Sequence, residues 1–348
     1  MFYDYELPKE LIALYPEKKR SDARLLVVDR QTGQLKHRIF RDITEYFEPG
    51  DLLVLNNTKV FPARLFGKRP TGGCVETLLL KQIEENVWEM LVKPSRRIKK
   101  GVRILFGENG LRLEGEVLDD PDGKTGIRRI RFAKGGAEKL NQIGHIPLPP
   151  YIRRADEAMD REMYQTVFAE KEGAVASPTA GLHFDEALMA ALKEKGVEIC
   201  FVTLHVGYGT FRSVEVEDLS QHKMDEEEFE ITEKAARQIE TAQKGNRRII
   251  ACGTTVVRTL ETAVSPLTLR SPPKEERIGV RGKTRLFIYP PYEFKRVNAM
   301  MTNFHVPRTT LLMLVAAFGG SELISHAYEA AIRERYRFYS YGDAMLII

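Results

Sequence analysis

The stretch that decides the fold is Arg248-Ile249-Ile250-Ala251-Cys252-Gly253-Thr254-Thr255-Val256-Val257-Arg258-Thr259-Leu260-Glu261. Arg248 to Cys252 reads as a strand, and Gly253-Thr254-Thr255 then opens a helix that runs to about Ala263. The same alternation recurs on either side. Phe184 to Lys195 sets Phe184, Leu188, Ala191 and Leu192 on one helix face, and Gly196 stops it. Val197 to Val206 follows as a buried strand. Thr232 can cap a helix to about Lys244, ended by Gly245-Asn246. Leu311 to Phe318 and Glu322 to Tyr336 predict two more helices, and Pro266 to Lys283 a loop. Strand and helix in turn predict a layered α/β domain with a mixed sheet.

Upstream the rhythm changes. From Phe61 to Ile146 the signals are short alternating strands: Cys74–Leu80, Val87–Val92, Val102–Phe106, Leu111–Val117 and Ile127–Phe132. Turn-forming stretches separate them, among them Gly72-Gly73 and Asp120-Pro121-Asp122-Gly123. Such spacing predicts a small antiparallel β-barrel. Ile146-Pro147-Leu148-Pro149-Pro150-Tyr151 breaks regular structure and marks a boundary. The barrel is therefore placed at 61–150 and the α/β region at 151–348. Pattern alone does not assign residues 1–60.

Composition bounds the function. A chain of 348 residues with 43% apolar and 29% charged residues can bury a sizeable core. The longest apolar run, Leu311 to Phe318, falls far short of the roughly 20 residues that span a bilayer. The opening MFYDYELPKE lacks the basic-then-apolar order of a signal peptide, so no membrane partner is expected. Cys74, Cys200 and Cys252 are odd in number, far apart and in no C-x-x-C pair, which speaks against disulfides or structural zinc and for a reducing cytoplasm. The net charge of +4, from 53 basic and 49 acidic residues, does not by itself announce a nucleic-acid binder. Distribution says more. Basic clusters at Lys18 to Arg20, Arg96 to Lys100, Arg128 to Arg131, Arg153-Arg154 and Arg247-Arg248 stand apart from the acidic run Asp225 to Glu228 with Glu230. That segregation suits a face that tracks phosphates, or ordinary solvated surfaces.

Five loops carry polar chemistry at element ends. Ser177-Pro178-Thr179-Ala180-Gly181-Leu182-His183-Phe184 is a small-residue turn expected to feed a helix N-terminus, where free N–H groups attract anions. Thr203 to Phe211 ends a strand in a glycine-spaced loop. Ligands of open α/β sheets bind at such strand ends, and Gly207 and Gly209 could wrap a nucleoside, with Tyr208 or Phe211 stacked on a base. The G-x-G fragment lacks the third glycine of a dinucleotide fingerprint, and a tight turn explains it equally. In the loop after Cys252, Thr254 and Thr255 can cap and also bind an anion, while Arg258 and Glu261 share a helix face. Asn303 and His305 adjoin a very apolar segment, as a lined pocket would require. Tyr339 to Met345 sets two tyrosines and Asp343 before an apolar strand. His183, His205, His222 and His305 lie in or beside these loops, yet no H-x-x-x-H spacing supports a metal.

Taken together, these stretches resemble the S-adenosylmethionine:tRNA ribosyltransferase-isomerase family of queuosine biosynthesis. Arg20 to Leu25, Asn56 to Val60 with Pro62 to Arg64, and Leu148 to Ile152 join the five loops, so the resemblance spans essentially the whole chain. Departures include Leu14 for a glutamine, Tyr208 for a leucine, Val256 for a serine and Pro291 for a glycine. The resemblance implies an α/β domain built from both chain ends, 1–60 and 151–348, with the β-barrel of 61–150 inserted. It also implies a reaction. The ribosyl group of S-adenosylmethionine, a consumed co-substrate and not a resident cofactor, passes to 7-aminomethyl-7-deazaguanine at the tRNA wobble position. Epoxyqueuosine forms, and adenine and methionine leave.

Proton transfers in that reaction need bases, and histidine titrates nearest neutrality. The expected catalytic set is His183, His205 and His305, with Glu261 and Asp343 as carboxylate bases or sulfonium partners. Donor binding is expected from Thr179, Gly181, Gly207, Tyr208, Gly209, Phe211, Thr254, Thr255, Arg258 and Asn303. Phosphates of the tRNA are expected at Arg96, Arg97, Lys99, Lys100, Arg153 and Arg154. A monomer is expected. A methyltransferase using the same donor is the alternative, but its glycine-rich first strand-turn is missing. An RNA-binding module built on the barrel would leave the loops at His183, His205 and Thr254 without a role.

Overall fold

The structure is a computed structural model that describes residues 4–107, 110–120, 125–133, 135–207, 209, 214, 216, 218–263 and 279–348. Along the chain come β1 (Arg24–Val28), β2 (Leu35–Ile39), β3 (Leu52–Asn56) and β4 (Thr58–Val60). Next are β5 (Arg64–Lys68), β6 (Cys74–Glu84), β7 (Val87–Lys93), β8 (Arg103–Phe106), β9 (Leu113–Val117) and β10 (Ile127–Phe132), followed by α1 (Gly136–Ile143) and α2 (Asp160–Met163). Then come β11 (Lys171–Ala174), α3 (Glu186–Glu194), β12 (Glu198–Leu204), β13 (Glu227–Ile231), α4 (Glu233–Lys244), β14 (Ile249–Cys252) and α5 (Thr254–Thr262). The chain closes with β15 (Val280–Thr284), β16 (Ala299–Asn303), α6 (Thr310–Gly319), α7 (Ser321–Arg333) and β17 (Ala344–Ile347).

Two compact units result. One comprises residues 1–59, 149–154 and 163–348; the other comprises 60–148 and 155–162. Sequence pattern alone puts 155–162 in the α/β region. Hydrogen bonds explain why these residues belong with the barrel: Asp156 accepts from the Ile146 N–H at 3.0 Å and meets His145 Nδ1 at 2.8 Å, and Arg161 Nη2 donates to the Gly144 carbonyl at 2.7 Å.

In the larger unit, nine strands among the described residues form one mixed sheet in the order β15-β13-β12-β3-β14-β16-β17-β1-β2. Neighbours from β12 through β16 run parallel, and β1 pairs in parallel with β17. The first sixty residues thus supply β3 to the centre of the sheet and β1 and β2 to its edge. Parallel strands covered on both faces are apolar throughout. In β3, Leu52 and Val54 enter one core while Leu53 and Leu55 enter the other; in β14, Ile249 and Ala251 oppose Ile250 and Cys252. One face is covered by α4, α5, α6 and α7, the other by α3 with Phe40 and Ile43. Of the predicted loop from Pro266 to Lys283, residues 266–278 lie outside the described residues. Val280–Thr284 is strand, paired antiparallel with β13. No single helix among the described residues is long and apolar enough to cross a membrane.

In the smaller unit, six strands among the described residues close a barrel in the order β10-β7-β6-β5-β8-β9. Alternation along β9 and β10 puts Leu113, Gly115, Val117, Ile130 and Phe132 inside. Gly115 has to be small, because a Cβ there would stand 2.8 Å from Ile130 Cγ2. Strand β5 escapes a sequence reading because it is short and carries Gly67 in place of an alternating side chain. Arg128 is buried, and its guanidinium donates to the carbonyls of Ile98 at 3.1 Å, Ser95 at 3.0 Å and Ile127. Those bonds hold the turn that displays Arg96, Arg97, Lys99 and Lys100. Replacing Arg128 with Met should leave those carbonyls unpaired and lower barrel stability by roughly 2 kcal/mol, measurable as a lower urea midpoint.

Candidate active site

Because β3, β14 and β16 run parallel, their carboxyl ends share one edge of the sheet. Strand β17 runs against β16, with Ala344 opposite Asn303, so the turn before β17 reaches the same edge. A partly open cavity lies there. Its walls come from Ser177, Pro178 and Thr179; from Gly253, Thr254 and Thr255 after β14; from Thr302 to Val306 at the end of β16; and from Tyr339 and Ser340 before β17. Ala180, Val206, Leu311, Thr309 and Tyr151 complete it among the described residues. No Asp, Glu, Lys or Arg lines it among the described residues.

Local bonding fixes these walls. Gly253 takes φ +91°, a left-handed conformation that glycine tolerates, and offers no capping side chain to α5. The first-turn N–H groups of Thr254 and Thr255 therefore have neither an intrahelical acceptor nor a capping side chain from residue 253. Asn56 Nδ2 donates to Thr255 Oγ1 at 3.3 Å and to the Leu204 carbonyl at 3.0 Å, tying three strand ends together. Tyr339 has φ +72°, strained for a non-glycine residue. That turn delivers its carbonyl to Asn303 Nδ2 at 3.1 Å, and the Ser340 and Tyr151 hydroxyls meet at 2.6 Å. Ser177 Oγ and Asn303 Oδ1 are buried without a protein partner, and both residues line the cavity.

The three candidate histidines part company. His305 lines the cavity, its Nε2 2.6 Å from Thr302 Oγ1, and burial pushes its pKa down to about 3. His183 is buried behind the cavity, against Phe40, with Nε2 3.2 Å from Asn303 Nδ2. Burial, with help from Arg337 and Arg20, brings it down to about 3 as well. A smaller hollow beside it is lined by Arg20, Tyr341 and Ser340. His205 faces a different groove, with Glu228, Glu230 and Arg281. Its Nδ1 meets Thr58 Oγ1 at 2.8 Å, and burial lowers its pKa, opposed by Glu228 and Glu230. Gly173 lets that ring approach, since a Cβ there would lie 2.7 Å from it.

Several expected residues sit outside the cavity. Glu261 accepts backbone N–H bonds from Lys295 at 3.0 Å and Arg296 at 2.9 Å, anchoring a loop. Asp343 accepts from the Arg24 and Arg337 N–H groups at 2.9 and 2.7 Å, and burial raises its carboxyl above the ordinary value. Arg258 is paired with Glu227 in the interior, and Glu227 also takes the Gly207 N–H at 3.1 Å. Gly181 is crowded by Phe168 and Thr166, and Gly209 by Asp225. Tyr208 and Phe211 lie outside the described residues. The anion site expected where Ser177 to Phe184 enters a helix takes another form: Thr179–His183 is a 3-10 turn, and α3 begins only at Glu186. Its first turn is already capped by Asp185, which accepts from Leu188 N–H at 2.8 Å. Thr179, Thr254, Thr255, Asn303 and His305 are thus gathered in one place. Tyr151, Tyr339 and Ser340 join them, contributed by turns whose approach depends on sheet order.

Of the basic residues, Arg96, Arg97, Lys99, Lys100 and Arg153 are exposed. Arg154 is tied down, donating to the Leu14 carbonyl at 3.0 Å and stacking over the Tyr15 ring at 4.2 Å.

Comparison with known proteins adds a second line of observation. Residues 1–347 match the family described as queuosine biosynthesis protein. The S-adenosylmethionine:tRNA ribosyltransferase-isomerase of Sulfurihydrogenibium sp. (strain YO3AOP1) is 50% identical over 351 residues, covering 99% of this chain and 98% of that protein. The one from Thermotoga maritima is 50% identical over 347 residues, with the same coverage. A crystal structure of S-adenosylmethionine tRNA ribosyltransferase from Thermotoga maritima aligns with a TM-score of 0.55 and 39% identity over all of both chains.

Burial of His183 and His305 in neutral form has a measurable consequence. Unfolded, each takes up a proton near pH 6.5; folded, each does so only near 3. The unfolded state therefore binds more protons between those values, and stability falls as pH drops below 6.5. The slope is at most about 1.4 kcal/mol per pH unit per histidine. Chemical denaturation between pH 7.5 and 5 should show this loss, reduced in a His183→Gln, His305→Gln variant.

Proposed function

The chain belongs to the queuosine biosynthesis protein family, and we propose that it acts as an S-adenosylmethionine:tRNA ribosyltransferase-isomerase in the cavity at the strand ends. The cavity's composition supports this most directly. Apolar walls and a row of hydroxyls offer a nucleoside both a dry face and hydrogen bonds.

In this reading S-adenosylmethionine gives its ribosyl group to the aminomethyl of 7-aminomethyl-7-deazaguanine at the tRNA wobble position. The donor's sulfonium acidifies the adjoining ribose methylene. A base removes that proton, adenine leaves, and the substrate amine captures the opened ribose. The ribosyl unit becomes the epoxycyclopentane of epoxyqueuosine, and methionine is released. His305 is the cavity's imidazole, and Thr302 holds its Nε2. Thr254 and Thr255 at the start of α5 suit a carboxylate or hydroxyl of the donor. Glu261 and Asp343, engaged with backbone N–H groups, serve the frame. The exposed turn Arg96 to Lys100 suits tRNA phosphates.

Incubation with S-adenosylmethionine and tRNA bearing the aminomethyl base should release adenine and methionine and add the cyclopentane mass to the tRNA. Methylated RNA without free adenine would mean a methyltransferase instead. His305→Ala should lower kcat by about 10²–10⁴-fold with the fold intact by circular dichroism. Charge reversal at Arg96, Arg97, Lys99 and Lys100 should weaken tRNA binding and leave donor affinity unchanged. The slope of log affinity against log salt should become shallower by about 0.7 for each phosphate that is no longer neutralised.

A further inference from the structure

Arg20–Asp22 is a single 3-10 turn fastened to the 182–185 segment. Ser21 Oγ donates to Asp185 Oδ2 at 2.6 Å, and Arg20 Nη1 donates to the Leu182 carbonyl at 3.2 Å. The second bond goes to a neutral acceptor, so it fixes the guanidinium without cancelling its charge. Held in this way, Arg20 lines the smaller hollow together with Glu17, Leu182, His183, Ser340 and Tyr341, and it is half-buried there, not sealed off. Arg337 adds a second cation, bonded to Glu17 and, at 3.0 Å, to the Tyr341 carbonyl. Burial first, then Arg337 and Arg20, keep the His183 ring neutral. Cations that discourage a proton on that ring favour an anion beside it.

The hollow adjoins the cavity, since Ser340 lines both. The two differ in charge. Among the described residues no charged side chain lines the cavity, whereas the hollow has the guanidinium of Arg20 and the carboxylate of Glu17. The donor is divided in the same way. Its adenosyl part offers hydroxyls and a neutral base. Its methionine end carries an ammonium and a carboxylate, and ions taken out of water need opposite charges beside them. A guanidinium is the side chain whose paired N–H groups match a carboxylate. Resting on the donor assigned above, we propose that Arg20 binds the methionine carboxylate of S-adenosylmethionine in the hollow, with the nucleoside in the adjoining cavity. Glu17 is then the hollow's acceptor for the donor's ammonium.

The test compares S-adenosylmethionine with its decarboxylated analogue, which keeps the sulfonium and the ammonium, by isothermal titration calorimetry without tRNA. The wild-type protein should bind the carboxylate form about 10-fold more tightly. Arg20→Met should bring the two affinities within about 2-fold, and Arg20→Gln serves if the methionine variant does not fold. Arg20→Lys, which keeps the charge, should retain part of the preference. 5′-Methylthioadenosine, which lacks the amino-acid end, should bind the wild type and Arg20→Met alike. A merely structural Arg20 would weaken all three ligands together and leave their ratios unchanged. Equal wild-type affinity for the two sulfonium ligands, or a folded Arg20→Met or Arg20→Gln protein that still discriminates, overturns the inference. If 5′-methylthioadenosine binds but the carboxylate earns no preference, only the role of Arg20 falls. If the wild type binds none of the three, the donor reading falls with it.

Discussion

The parallel pairing of β14 with β3 on one side and β16 on the other is the constraint from which the site follows. Ile250 sits opposite both Leu53 and Ala299, so three segments separated by roughly 200 and 50 residues in the chain end at one level. Whatever follows them must turn at the same edge. Only there do backbone N–H groups at a helix start, a strained tyrosine turn and the end of β16 come within reach of one small molecule. Shifting β14 by a single residue would exchange its two buried faces and rotate Gly253 away from the edge.

Side-chain amides join the strand ends where the backbone ladder stops. Asn56 serves both directions: Nδ2 reaches the Leu204 carbonyl and Thr255, while Oδ1 accepts from Thr58 and Leu204 N–H groups at 3.1 Å each. Asn57 Oδ1 accepts from Thr203 Oγ1 at 2.7 Å. A buried amide of this kind is stabilising only when each atom has its partner. Asn56 meets that condition within the protein and is therefore part of the frame. Asn303 does not: its Oδ1 is buried without a partner.

Much of this organisation can be read from residues alone, and the exceptions have physical causes. The strand at 127–132, the Thr232 cap and the break at Gly253 follow from local chemistry: alternation, a short hydroxyl side chain, a left-handed turn. The barrel's closure depends on β5, which local chemistry barely marks. Glycine spacing after β12 and the adjacency of Arg258 and Glu261 suggest a ligand; in the fold Arg258 pairs with Glu227 and Glu261 holds the 292–297 loop. A charged side chain announces that it needs a partner, and sequence does not say whether that partner is a substrate or the protein itself. Tyr151, Tyr339 and Ser340 are invisible as a group in the sequence because sheet order, not spacing, unites them.

Among the described residues, no charged side chain lines the cavity. With His183 and His305 neutral and no carboxylate or cation in its wall among the described residues, a sulfonium donor would bring the one strong charge into a dry space. There charge interactions are several times stronger than in water. A carboxylate beside the sulfonium would stabilise the bound donor throughout, and binding that is uniform along the reaction does not speed it. Hydroxyl dipoles can orient such a donor without quenching the charge that acidifies the ribose carbon. Glu261 and Asp343, which could neutralise such a charge, are engaged instead with backbone N–H groups of the protein.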